Sequence, residues 1–335
     1  DLAVLTNNTL GCLAYCVVAG DFLSKGMAGL LPSVEVLHFR GADLLLVGVF
    51  LLLPLSLLKD LSKLSFSSIL GLVATLWGFT LVTGDCLSNV DLTDPEGAVQ
   101  RNLMPLRVDL FQSLALLSSA FMAHYNSPKF FASLENSTLP RWGTLVASSF
   151  GLALVAFSTF ALCGFALFGF GVEGNILTNY GGGTQVMLAW LGMAFSMIFT
   201  YPLLFSALRD AASALLVRTG VIRGEMDESF RIAFTAIVVA VTVLGGTFFT
   251  NVAVVNGVKG AVLSACLAFI FPALIQLRLT RPDGPAEAAA SPAMRLVSYV
   301  IIAIGVTTGI MALLAMFVLP KTDFSALAAA VEATH

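Results

Sequence analysis

The feature that most limits what this chain can become is a series of unbroken apolar runs, about 17 to 28 residues each, recurring from one end to the other. A helix needs about 20 such residues to cross the hydrocarbon of a bilayer, whereas a barrel strand needs about ten that alternate apolar and polar. These runs do not alternate, so the expected fold is an all-α membrane protein. Of 335 residues, 58% are hydrophobic and 11% charged, against about 25% charged in a soluble domain. Because the runs extend over the whole length, a signal peptide ahead of a soluble domain is excluded.

Apolar windows and their polar stops predict about nine transmembrane helices, near 3–24, 42–58, 65–84, 110–125, 143–170, 185–208, 231–250, 256–278 and 294–319. Thr6-Asn7-Asn8-Thr9 makes the first the weakest. Nine spans put the termini on opposite sides. A cytoplasmic Asp1 leaves eleven lysines and arginines in inside loops and six outside, so the N-terminus is expected to be cytoplasmic. No linker divides the chain, and 1–335 is expected to be one transmembrane domain. The loop at 209–230 is expected to hold a short surface helix.

The net charge of −3 is too small to argue for nucleic acid, and no nucleic-acid partner is expected. Cys12, Cys16, Cys86, Cys163 and Cys266 lack metal-ligand spacing, and with Cys86 alone in a loop no disulfide suggests itself. Asp21, Asp43, Lys259 and Arg295 are expected at segment ends, which removes a proton pump built on a mid-span acid. No H-E-x-x-H, no G-x-S-x-G and no pair of intramembrane aspartates is present, so an enzyme is not expected. No metal and no cofactor are expected either.

What remains is uncharged polar groups inside apolar spans, which must find partners within the protein. The densest group is Ser118-Ser119 followed by His124-Tyr125-Asn126-Ser127-Pro128. On one reading the span ends at Tyr125 and these residues meet water. On the other the helix breaks at the small residues Ser118, Ser119 and Ala120, its freed amides and carbonyls line a cavity, and a second helix begins near Pro128. His124 fits an interface histidine or a proton relay. Ser196 and Thr200, four apart on one helix face, precede Pro202, which leaves the Ile198 carbonyl without its usual donor. Their hydroxyls either bond back to their own helix or serve as oxygen ligands for a dehydrated cation.

Several stretches then fall in a familiar order: GDFLSKG (20–26), PLSLLKDLSKLSFSSILGL (54–72), SAFMAHYNSPKFFASLEN (119–136), LCGFALFGFGVEGNILTNY (162–180), FTYPLLFSALRDA (199–211) and NGVKGAVLSACLAFIFPALIQLRL (256–279). This order resembles the amino acid/auxin permease family, which includes neutral and vacuolar amino acid transporters. The resemblance implies a leucine-transporter-type inverted-repeat fold of eleven spans that works by alternating access. It also implies that the stretch after Ser118 is the broken sixth span. Carried over, Ser118, Ser119, Phe121, Met122, His124 and Asn126 would bind substrate, and Ser196 and Thr200 a cation. The match starts at the family's third span, so the first two spans, with the other broken helix, are expected to be missing from this chain.

The function so implied is secondary active transport of neutral amino acids with sodium or protons as coupling ion, by a monomer in the plasma membrane or a vacuolar or lysosomal membrane. Its partners would be the amino acid and membrane lipid. The alternative is an amino acid sensor that signals through a partner.

Overall fold

The computed structural model describes residues 1–30, 33, 39–58, 65–89, 109–124, 127–224, 226–280 and 292–318. In chain order the helices are α1 (Leu2–Leu30), α2 (Arg40–Leu57), α3 (Ser65–Asn89), α4 (Asp109–Ala120), α5 (Ser127–Ser133), α6 (Leu139–Phe168), α7 (Thr184–Arg218), α8 (Glu228–Phe248), α9 (Val252–Leu279) and α10 (Pro292–Phe317). No strand occurs among the described residues. Among the described residues eight helices are long and apolar enough to span a membrane, and the expected fourth segment is a shorter apolar helix ending at Ala120. The protein is an all-α membrane protein. Side chains such as Leu152 (74% exposed) and Phe248 (81%) leave broad apolar surface that only lipid or protein can cover.

Several expected boundaries move, for physical reasons. α1 begins at Leu2, because Thr6 and Thr9 donate their hydroxyls to the Leu2 and Leu5 carbonyls (2.9 and 2.8 Å) and need no water. α7 runs on to Arg218 in place of a separate surface helix, since Ala211-Ala212-Ser213-Ala214-Leu215-Leu216 offers no breaker before Gly220. There the chain turns left-handed (φ +76°), and the Val221 amide closes back onto the Leu216 carbonyl. Cys86 lies in α3, buried, and not in a loop. Asp21 and Lys259 sit inside α1 and α9 and not at their ends.

α2 and α9 share a local device. Gly48–Leu52 and Lys259–Ile270 are π-helical, and each stretch gives way to an α-helix whose second residue is proline, Pro54 or Pro272. A proline nitrogen cannot donate and its ring crowds the carbonyl one turn back, so widening the preceding turn relieves both problems. Pro202 is carried inside α7 without such widening.

The chain forms two compact units. The first comprises Asp1–Leu103 and Phe157–Val255, the second Met104–Ala156 and the segment from Asn256 on. In the first, α7 lies against α1 so closely that a Cβ on Gly11 would stand 2.7 Å from Leu204. Cys12, Cys16, Leu44, Leu52, Tyr201, Phe205, Leu208 and Val243 fill the core among α1, α2, α7 and α8. In the second, α4, α9 and α10 meet through Ala115, Ala261 and Ala312. A Cβ on Gly260 would fall 1.9 Å from the Ala115 carbonyl oxygen, so only glycine permits this approach.

Candidate functional site

The stretch after Ser118 is interrupted. α4 stops at Ala120 and α5 starts at Ser127, five residues short of the water-meeting end at Tyr125. The Met122 amide, which a continuous helix would give to the Ser118 carbonyl, goes instead to that of Ser119 at 3.4 Å. The Phe121 amide still reaches Leu117 (3.0 Å), which marks the last regular turn. Phe121 and His124 converge on Phe150 of α6, with ring centroids 6.1 and 6.4 Å away. Phe150 carries no polar group and lies in an ordinary apolar run, so nothing in the sequence singles it out.

The candidate residues differ in what they are free to do. The Ser118 hydroxyl bonds back to the Leu114 carbonyl at 2.8 Å, whereas Ser119, Phe121 and Met122 are half-buried beside the interruption. His124 is exposed. Asn126 lies outside the described residues.

Ser196 and Thr200 belong to the first unit, on α7 facing α3. Gly71 of α3 passes so near that a Cβ there would be 2.7 Å from Ser196 Oγ. Among the described residues neither hydroxyl bonds back to its own helix, unlike Thr75, Thr80 and Thr83 of α3, each of which bonds the carbonyl four residues earlier. Ser196 is buried, and so is Ser67, one turn before Gly71. The two candidate sets, one around Ser119 and one around Ser196, fall in different units.

One polar constellation escaped the sequence reading. Arg40 Nε donates to Asp21 Oδ1 at 2.7 Å. Nη1 reaches the Gly246 carbonyl (2.6 Å), and Nη2 those of Val17 (3.0 Å) and Phe249 (3.1 Å). The guanidinium thus satisfies carbonyls at the C-terminal end of α8 that helix geometry leaves open. One turn beyond Asp21, Lys25 Nζ donates to the Thr178 carbonyl (2.7 Å) and lies 5.6 Å from the Trp190 ring centre. Trp190 Nε1 holds the adjacent Leu177 carbonyl (2.9 Å), so the 172–183 connection is fastened to α1 and α7 at two successive residues. The only signal in the sequence was the GDFLSKG stretch itself.

The chain matches the family model described as "Transmembrane amino acid transporter protein" over residues 1–318. It is 26% identical over 288 residues to the sodium-coupled neutral amino acid transporter 7 of Xenopus laevis, covering 83% of this chain and 63% of that protein. It is 24% identical over 294 residues to the vacuolar amino acid transporter 2 of Saccharomyces cerevisiae, covering 83% of this chain and 61% of that protein. The chain therefore spans about three-fifths of the length of the curated relatives it matches. A match over nearly the whole of its own length shows that this chain belongs to the transmembrane amino acid transporter family, a family of transporters and not of enzymes.

Proposed function

We propose that this chain forms the body of a secondary active transporter that moves neutral amino acids across a membrane with a coupled cation, by alternating access. The observation that carries the reading is the family match over residues 1–318, and relatives named as neutral and vacuolar amino acid transporters support the substrate class. The interruption between Ala120 and Ser127 supports a substrate site. An unwound segment presents amides and carbonyls that a zwitterion's carboxylate and ammonium can take up in place of water. Ser118, through its backbone since its hydroxyl is bonded to Leu114, would border that site with Ser119, Phe121, Met122 and His124, and Asn126 completes the set carried over by resemblance. Ser196 and Thr200, whose hydroxyls are not spent on their own helix, would offer oxygens to sodium. His124 keeps protons as the other candidate ion.

The leucine-transporter-type repeat, a cytoplasmic N-terminus and a plasma-membrane or vacuolar location follow from the same reading. The test is uptake of labelled neutral amino acids into proteoliposomes under separate sodium and proton gradients. It compares this chain alone with this chain preceded by the two N-terminal spans of a family relative. Accumulation by the extended protein, driven by one gradient, supports the carrier and identifies the ion. Binding without accumulation or exchange in either protein overturns it in favour of a sensor.

A further inference from the structure

The first unit holds a cavity of about 590 Å³ lined by Asp21, Lys25, Arg40, Glu173, Asn175 and Thr178. That volume lies within the range of small-molecule sites. Its wall carries charges of both signs, and they are unequally used. Asp21 and Arg40 neutralise one another. Lys25 is bonded to a backbone carbonyl and its charge also bears on Asp21, but no carboxylate among the described residues lies within ion-pair distance of it. Glu173 accepts the Thr178 hydroxyl and has no cationic partner among them. Lys25 and Glu173, neither within ion-pair distance of an opposite charge among the described residues, therefore face a single polar space.

We infer that this cavity is a second amino acid site, separate from the interruption after Ser119, which binds a zwitterion with its carboxylate toward Lys25 and its ammonium toward Glu173. A zwitterion matches both charges at once, while a simple anion or cation leaves one of them unmet. The Asp21–Arg40 pair and the bonds fastening the 172–183 connection keep the wall in place before ligand arrives, which lowers the ordering cost of binding. The amino acid class rests on the transporter reading. The site itself does not need transport.

The test is binding of labelled L-alanine to the purified full chain in detergent, with propionate and ethylamine as competitors that carry only the carboxylate or only the ammonium group. Lys25→Gln keeps a donor for the Thr178 carbonyl and removes the charge. It should weaken alanine about ten-fold or more and abolish competition by propionate but not by ethylamine. Glu173→Gln should give the converse pattern. Ser119→Leu, in the other unit, should leave intact the component of alanine binding that Lys25→Gln and Glu173→Gln weaken, even if it stops uptake, so failure of the transporter reading and failure of this one are distinguishable. Alanine binding unchanged in both cavity variants, equal loss of both competitors in each, or binding lost only in Ser119→Leu overturns the proposal.

Discussion

Arg40 and Asp21 meet at 2.7 Å, each less than one-fifth exposed, and the same guanidinium holds carbonyls from α1 and from the end of α8. Removing the cation strands a shielded carboxylate and takes a donor from four carbonyls at once. Arg40→Ala should therefore cost about 3 kcal/mol or more, seen as a lower melting temperature in detergent. Asp21→Asn keeps an acceptor and should cost less. Equal stability of wild type and Arg40→Ala would show that water replaces the guanidinium without penalty.

Gly260 tolerates no side chain. With the Ala115 carbonyl 1.9 Å from where a Cβ would stand, Gly260→Ala must push α4 and α9 apart, at a cost typical of core overpacking, about 1 to 3 kcal/mol. Gly84, which has nothing within 4 Å of such an atom, should accept alanine with no loss of folded protein on size-exclusion chromatography.

Tyr201 and Thr242 share a buried bond of 2.7 Å. Tyr201→Phe should lower stability by about 1 kcal/mol and no more, because Thr242 keeps the Val238 carbonyl as its acceptor (3.0 Å). A fall several times larger in chemical unfolding would mean that Cys12, which also bonds this hydroxyl, is left without a replacement partner.

In the carrier reading Ser119→Leu in the extended protein should abolish uptake while leaving its folded yield unchanged, because Ser119 is only half-buried and borders the interruption. Ser118→Ala should hardly matter, its hydroxyl being committed to Leu114. Normal uptake by Ser119→Leu would return this segment to a structural turn.

Ser196→Ala should raise the concentration of coupling cation needed for half-maximal uptake several-fold without lowering the melting temperature. Its hydroxyl bonds no carbonyl of its own helix, so truncation breaks no helix contact there. An unchanged cation dependence would remove α7 from the ion site.

How much of this could be read from the residues depends on the range of the interaction. Spans were legible because burial in lipid is a local property of about 20 consecutive side chains. The stop at Ala120 was foreshadowed by Ser118-Ser119 and Pro128, which act within a turn or two. Arg40 was not legible: its partners come from residues 17, 21, 246 and 249, and a lone arginine ahead of a span reads as a loop cation. Lys25 and Glu173 escaped notice as a pair for the same reason, since α1 and the 172–183 connection become neighbours only through tertiary structure. The extension of α7 was missed because hydropathy follows polarity, and a polar stretch without glycine or proline can stay helical.

The long π stretch of α9 has a consequence for how that helix can move. Each wide turn holds a residue more than an α turn would, and in an α-helix one residue corresponds to about 100° of rotation. Tightening one such turn while Gly260 stays pressed against Ala115 would swing the Phe271–Leu279 end about its own axis like a dial, without lifting it out of the bilayer.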